Sequence, residues 1–108
     1  MSNDPPVLIL TSLASGPKHG YGLLQDIESF AGVRLGPGTL YGAISRLEER
    51  GLIEAVGAAG RRRPYRLSAA GAEALETTLA ELRTIVDAGT ARLAGVPVPR
   101  GACGGATA

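Results

Sequence analysis

The sequence is poor in the residues that build chemical sites: its 108 residues include one cysteine, one histidine and no tryptophan. A single cysteine, Cys103, excludes an internal disulfide, and His19 with one distant cysteine is too small a ligand set for a metal site. No nucleophile–base pair and no glycine-rich phosphate loop after a strand can be assembled. We therefore expect no enzyme activity, no metal and no cofactor, and we interpret Cys103 as an incidental thiol.

Long apolar runs are also missing. The most apolar segment, VLILTSLA over residues 7–14, is far shorter than the ~20 residues that span a bilayer. No signal peptide is recognisable at the start of the sequence. The sequence predicts a cytoplasmic chain that does not enter a membrane, with this segment in a buried first helix.

The length and the charge distribution narrow the class of protein further. A chain of 108 residues suits one small domain of three helices and a two-stranded hairpin, plus an arm. The net charge is only +1, which argues against a general polyanion binder. All but three of the eleven basic residues lie between Lys18 and Arg66, against half of the ten acidic residues. A locally basic face on a near-neutral molecule is typical of a site-selective DNA-binding protein.

The most informative segment is LGPGTLYGAISRLEERGLIE, from Leu35 to Glu54. Leu40, Ile44 and Leu47 recur at helical spacing, which predicts a helix with one apolar stripe. Gly51 supplies the left-handed residue that ends this helix, and a strand follows. A helix, a glycine stop, a strand, a basic tip and a second strand, in that order, are the layout of a winged helix-turn-helix.

Two helices are expected before this segment. The first is expected between Asp4, a plausible N-cap, and about Ala14. The second is expected to begin near His19 or Gly20 and to end at Gly32. Its apolar stripe consists of Leu23, Leu24, Ile27, Phe30 and Ala31.

The wing is expected from strands over 52–56 and 64–67, and Pro64 predicts an edge position for the second strand. The predicted fold is mainly α with a small β-wing. We divide the chain into a winged helix-turn-helix domain over 1–67, a C-terminal dimerisation helix over 68–95 and a disordered tail over 96–108.

The last helix, capped by Ser68, carries a heptad seam. Its apolar positions step by four and three residues, and Gly89 occupies the skipped position. A seam of this kind predicts that the helix packs along a second helix, here in a homodimer. The predicted interface residues are Leu75, Leu79, Leu82, Val86 and Leu93.

Four residues in the third helix are candidates for contact with DNA bases: Thr39, Gly42, Ser45 and Arg46. Arg46 suits bidentate contact with guanine, and a phosphate contact or a solvated position is an equal alternative. Gly42 permits close approach to a backbone. Tyr41 lies at the edge of the apolar stripe, either with its hydroxyl on a phosphate or with its hydroxyl in water.

The arginine run Arg61, Arg62 and Arg63 lies at the predicted wing tip. Like charges at a hairpin tip repel one another, and DNA phosphates would relieve that repulsion. Lys18 precedes the second helix and is a further candidate for a phosphate contact, with a plain surface lysine as the alternative.

Three blocks of the sequence resemble the PadR family of bacterial transcriptional regulators. They are ILTSLASGPKHGYGLLQDIE, LGPGTLYGAISRLEERGLIE and RRRPYRLSAAGAEAL, in this order over about three-quarters of the chain. The HGY triplet that begins at His19 and the GTLY run that begins at Gly38 are the most specific parts. The single long C-terminal helix is similar to the shorter subfamily.

The resemblance implies a winged helix-turn-helix that dimerises through its C-terminal helix and represses promoters. It implies that the helix with the GTLY run is the recognition helix and that the wing tip meets DNA. The residues that inherit these roles are Thr39, Tyr41, Ser45, Arg46 and the three arginines at 61–63. Many family members release DNA when a small, often aromatic effector binds near the dimer interface, but the last helix of this chain has no aromatic residue.

Together these features predict a sequence-specific DNA-binding regulator, a homodimeric repressor on a palindromic operator, with an unidentified small-molecule effector. The alternative is a winged-helix module that binds protein and no DNA. The arginine tip favours the first interpretation, because an interaction module would more often expose an apolar patch there.

Overall fold

The computed structural model describes residues 4–57 and 63–95. Its elements are α1 (Pro5–Leu13), α2 (Gly20–Ala31), α3 (Pro37–Glu49), β1 (Ile53–Ala55), β2 (Tyr65–Leu67) and α4 (Ala69–Gly95). The predicted mainly helical fold with a small two-stranded wing is confirmed. Within the described ranges, no helix combines the length and the apolar character needed to cross a membrane.

Proline and glycine set several of the helix ends. Pro5 opens α1, because its fixed φ and missing N–H suit the first turn. Asp4 lies at the N-cap position, as predicted, but its side chain makes no capping hydrogen bond. Gly32 follows α2 with a φ of 69°, and Gly51 follows α3 with a φ of 75°. Both values lie in the left-handed region that glycine enters without strain, so the two predicted glycine stops are confirmed.

Helices α1, α2 and α3 enclose one hydrophobic core, to which the start of α4 and the strand β1 add single residues. The buried apolar residues are Leu8, Ile9, Leu10, Leu13, Leu23, Ile27, Leu40, Ala43, Ile44, Leu47, Ile53 and Leu75. Two members of the predicted α2 stripe do not belong to it: Phe30 is 46% exposed, and Ala31 is exposed as well. Both residues lie in the last turn of α2. The spacing of apolar residues predicts which face of a helix is buried, but it does not predict how far along the helix the neighbouring helices extend.

The wing is an antiparallel pair with the register Ile53↔Leu67, Glu54↔Arg66 and Ala55↔Tyr65. The second strand has the predicted edge position in this two-stranded sheet, and one of its residues also forms an isolated bridge to the segment before α2. The backbone N–H of Lys18 donates to the Tyr65 carbonyl at 3.1 Å, and the Tyr65 N–H donates to the Lys18 carbonyl at 2.9 Å. Pro64 lies just before β2, so its missing N–H removes no bond from the strand pair.

Ser68 connects the wing to α4 with two hydrogen bonds. Its hydroxyl accepts from the Gly71 N–H at 3.0 Å, which caps the helix as predicted, and donates to the Gly51 carbonyl at 2.6 Å. Gly71 is buried where α4 passes Leu52: a Cβ at position 71 would lie 2.9 Å from the Leu52 carbonyl carbon. A side chain there would collide with backbone, so this close approach requires glycine.

The chain divides into two compact units, Met1–Thr77 and Thr78–Ala108, with the boundary inside α4. The predicted functional division after residue 67 stays a prediction. Leu75 lies in the first unit, where it is 6% exposed and part of the hydrophobic core. Its predicted place in a dimer seam is corrected, because its side chain already fills the core of its own chain. A heptad pattern does not distinguish these two environments.

Candidate nucleic-acid interface

Helix α3 has one face in the core and one face in solvent. The core face carries Leu40, Ile44 and Leu47, which are at most 2% exposed. The predicted contact residues Thr39, Ser45 and Arg46 are exposed on the other side. The helix is therefore held by its apolar stripe, while its polar side chains are free to meet a ligand.

The side chain of Arg46 lies along the surface of α3 and not away from it. A Cβ placed on Gly42 would be 3.8 Å from Arg46 Nη1, so the guanidinium lies above this glycine, one turn nearer the helix start. This is the direction in which long helical side chains lean. Within residues 4–57 and 63–95, no acidic side chain forms an ion pair with Arg46. Gly42 thus gives a cation room on the N-terminal half of α3.

Tyr41 connects α3 to the start of α2. Its ring and hydroxyl lie over Gly20, where a Cβ would approach the ring carbon Cζ to 2.7 Å. Tyr41 remains 49% exposed, so one side of the phenol packs and the other meets solvent. This agrees with the predicted edge position. The signal in the sequence was the glycine in the HGY triplet, which leaves space for a ring from another helix.

The wing places one described arginine at the edge of the hairpin loop. Arg63 is partly buried, just before β2, whereas Arg61 and Arg62 lie outside the described residues. Arg66 on β2 is already paired: its Nη2 and Nε donate to Glu54 Oε1 at 3.0 and 3.2 Å. Its charge is therefore compensated within the wing, and the basic character of the tip depends on residues 61–63.

Lys18 does not present its charge to solvent as predicted. Its ammonium group donates to the Ser12 carbonyl at 2.6 Å and to Ser15 Oγ at 2.8 Å, and it lies 4.0 Å from Asp26. Ser12, 1% exposed, donates to the same Asp26 carboxylate at 2.6 Å. These bonds close the connection between α1 and α2. We therefore replace the predicted phosphate contact of Lys18 with a structural role, which the sequence did not reveal.

The second unit carries an exposed apolar face on α4. The predicted seam residues Leu79, Leu82, Val86 and Leu93 are between 44% and 64% exposed. Sequence reasoning missed Ile85, which is 66% exposed beside the seam. Hydrophobic side chains exposed in a contiguous row are costly in water, so this face is suited to cover by another apolar surface.

A groove of about 260 Å³ lies between α2 and the turn that precedes α3. Its lining residues are Tyr21, Leu24, Gln25, Glu28, Arg34 and Leu35. The Arg34 guanidinium donates to Glu28 Oε2 at 2.8 Å. This hydrogen bond, and then the charge of the carboxylate, raise the pKa of Arg34 above its ordinary value. Both side chains are largely exposed, so the ion pair adds little to the stability of the fold.

Three helices around one core, of which α3 also has a polar exposed face, together with a β-wing define a winged-helix regulator of the DNA-binding class. Residues 9–77 match the transcriptional regulator PadR-like family, and the chain belongs to this family. The resemblance indicated by the HGY and GTLY segments is confirmed.

Solved structures of similar proteins support the same assignment. A PadR family transcription regulator from Clostridium difficile is 28% identical, with a TM-score of 0.73 over 82% of this chain and 97% of that chain. A PadR family transcriptional regulator from Eggerthella lenta is 27% identical, with a TM-score of 0.69 over 85% of this chain and 82% of that chain. The fold is therefore that of PadR family regulators.

A protein in transposon TN4556 of Streptomyces fradiae, of 37.1 kDa and described as uncharacterised, is 49% identical over 75 residues. The alignment covers 69% of this chain and 22% of that protein. The chain thus spans about a fifth of the length of this curated relative.

Proposed function

We propose that the protein is a homodimeric transcriptional repressor that binds a palindromic operator through α3 and the wing. The observation that carries the proposal is the exposed polar face of α3, with the Arg46 guanidinium lying over Gly42. A helix entering the major groove contacts base edges mainly with residues of its N-terminal half. Because Gly42 has no side chain, the Arg46 guanidinium lies over it, and its positive charge is therefore near that half of the helix.

The remaining contacts divide by chemistry. Thr39 and Ser45 are short polar side chains on the exposed face, suited to single hydrogen bonds with base edges or phosphates. The Tyr41 hydroxyl is suited to a phosphate contact near the start of α2, because the ring packs over the backbone of Gly20. Arg61, Arg62 and Arg63 would neutralise phosphates beside the groove that α3 occupies.

The exposed face of α4 supports the homodimer. A seam of large apolar residues in a regulator is best covered by the same seam of a second copy, which creates a two-fold axis. Two recognition helices related by that axis would read two inverted half-sites, hence a palindrome. Repression is the simplest consequence of two chains occupying promoter DNA, and the family resemblance implies it.

We further propose that a small-molecule effector binds the groove beside α2. Leu35 lines this groove and is followed directly by Gly36, the N-cap of α3. A ligand that displaces Leu35 would move the start of the recognition helix and weaken DNA binding. A screen of small amphipathic compounds for operator release tests this proposal. Tyr21→Ala should abolish release while operator binding persists, and unchanged release would place the effector elsewhere.

Selection of bound sequences from a random DNA pool tests the function itself. We expect one enriched motif with inverted repeats. Retention of no sequence above background, at low salt as well as at physiological salt, would favour the alternative, a winged-helix module that binds protein and no DNA. The PadR family membership supports the DNA-binding interpretation.

A further inference from the structure

Lys18 is the only lysine of the chain, and its ammonium group is fully hydrogen-bonded. It donates to the Ser12 carbonyl at 2.6 Å, to Ser15 Oγ at 2.8 Å and to the Gly16 carbonyl at 3.3 Å. An ammonium group has three N–H donors, so each of them has an acceptor. The Asp26 carboxylate lies 4.0 Å away, and the side chain of Lys18 is only 19% exposed. This side chain therefore fixes the turn after α1 against α2.

The backbone of the same residue holds the wing. The Lys18 N–H donates to the Tyr65 carbonyl at 3.1 Å, and the Lys18 carbonyl accepts from the Tyr65 N–H at 2.9 Å. Tyr65 pairs with Ala55 at the end of the hairpin nearest its loop, and Arg63 lies two residues before it. The bridge therefore acts on the end of the wing that carries the arginine run.

We propose that Lys18 is a positioning residue for DNA binding: its ammonium group anchors the segment before α2, and its backbone thereby holds the loop end of the wing in place against DNA. The inference rests on the proposed contact of the wing arginines Arg61, Arg62 and Arg63 with phosphate, and it names the residue that places the wing for that contact. Lys18 itself does not touch DNA in this arrangement. Its charge is used inside the fold, and the effect of its loss on DNA binding passes through the wing.

The wing depends on contacts outside the hairpin for its orientation. Its two strands have three residues each, and an isolated two-stranded hairpin is marginally stable at best. Leu67 packs against the core at the end of β2 nearest α4, and the bridge at Tyr65 holds the other end. The backbone bonds of residue 18 form with any side chain, but they hold the wing only as firmly as residue 18 is itself held. Since Lys18 lies outside both α1 and α2, its side chain supplies that anchor.

The chemistry of the ammonium group distinguishes this role from a phosphate contact. If the group moved to a DNA phosphate, the Ser12 carbonyl and the Asp26 carboxylate would lose the cation that they share. A compact ammonium group suits three acceptors gathered around one nitrogen, whereas a guanidinium is planar and presents its donors as a rigid fork. Arginine would therefore serve well on a phosphate and poorly in the place of Lys18.

Lys18→Met, which keeps a long side chain without the ammonium group, tests the inference in the full chain. Binding to one random duplex is measured at several salt concentrations, with the wing arginines present and with all three replaced by alanine. With the arginines present, Lys18→Met should lower the slope of log affinity against log salt by about 0.9 or more, which corresponds to at least one phosphate contact. In the triple-alanine background the same substitution should leave the slope unchanged, because the wing then has no contact to lose.

Lys18→Arg is the matched control, because it keeps the charge, and it should lower the slope as Lys18→Met does. Equal losses in both wing backgrounds would overturn the inference and make Lys18 a phosphate contact. An unchanged slope for Lys18→Met, or full binding by Lys18→Arg, would overturn it as well. If the triple-alanine variant alone leaves the slope unchanged, the proposed contact of the wing with DNA fails, and this inference fails with it.

Amide hydrogen exchange tests the anchor without DNA. The Tyr65 N–H bonds to Lys18, whereas the Ser68 N–H donates to the Leu52 carbonyl at the other end of the hairpin. In Lys18→Met, exchange at Tyr65 should become faster by about tenfold relative to exchange at Ser68. Ser15→Ala removes one of the three acceptors and should give a smaller change in the same direction, even if Lys18→Met does not fold. Equal acceleration at both amides would show that Lys18 stabilises the fold as a whole without placing the wing, and it would overturn the inference.

Discussion

The phenol of Tyr41 in helix α3 lies directly over Gly20, the first residue of α2, so that a side chain at position 20 would overlap the ring. The contact joins the two helices of the helix-turn-helix at a point where Tyr41 is still half exposed. It therefore has two roles. It sets the distance between α2 and α3, and it holds a hydroxyl at the surface that we assign to DNA.

This contact predicts a coupling between positions 20 and 41. Gly20→Ala should destabilise the unaltered chain, since the ring must move away from its place. In a Tyr41→Ala background the same substitution should be neutral or stabilising, because alanine is favoured over glycine in a helix. We expect a coupling energy of about 0.5–3 kcal/mol from urea unfolding of the four proteins. Gly22→Ala is the control, since its Cβ would make only ordinary contact with Lys18. Gly22→Ala should change the free energy of unfolding by the same amount in both backgrounds. If Gly20→Ala also had the same effect in both backgrounds, the contact between positions 20 and 41 would be contradicted.

Arg46 and the wing arginines should respond differently to DNA sequence. Arg46→Ala is expected to cost about 1–3 kcal/mol on the selected operator and much less on random duplex, as for a residue that reads a base. Arg50→Ala, at the other end of α3, removes the same charge and should have a small effect on both. Binding isotherms on the two duplexes measure the difference. Equal effects of Arg46→Ala on both duplexes would make it a phosphate anchor, and specificity would then come from Thr39, Ser45 or DNA shape.

Replacing Arg61, Arg62 and Arg63 by alanine should weaken binding to every sequence, because phosphate contacts carry no base identity. The slope of log affinity against log salt should also fall, by about 0.9 for each phosphate that is no longer neutralised. The control is the double variant Glu54→Ala/Arg66→Ala, which removes a paired arginine of the same wing without changing the net charge. An unchanged salt slope in the triple variant would show that the wing tip does not meet phosphate.

Leu82→Asp should convert the proposed dimer to a monomer, because it places a charge in the apolar seam of α4. Thr84→Asp introduces the same charge on the opposite side of the same helix and should leave the dimer unchanged. Light scattering over a range of concentrations measures both. A stable dimer for Leu82→Asp would place the interface elsewhere on the molecule.

The sequence was sufficient where a single residue type decides the local structure. Gly32 and Gly51 mark helix ends because few other residues enter the left-handed region, and the α3 stripe follows from its spacing. The sequence was insufficient where the burial of a side chain depends on which element packs against it. Leu75 and Leu79 belong to one heptad pattern, yet one is buried in its own core and the other is exposed.

Polar partners were equally hidden in the sequence. Lys18 resembled a surface cation, but the carbonyl of Ser12 and the carboxylate of Asp26 lie beside it only after α1 and α2 have packed. The position of the Arg46 guanidinium over Gly42 is a more predictable case, because residues four apart on a helix are neighbours. Among the residues predicted to contact DNA, the positions of those on the exposed face of α3 are therefore the ones that the sequence predicts most directly.

The measurement that tests the central claim most directly is a footprint of the protein on its selected operator, combined with the number of chains bound. Two copies of α3, related by a two-fold axis, should protect two inverted half-sites with centres roughly 34–36 Å apart, and two chains should bind each operator. Protection of a single asymmetric site by one chain would contradict the proposed two-fold arrangement.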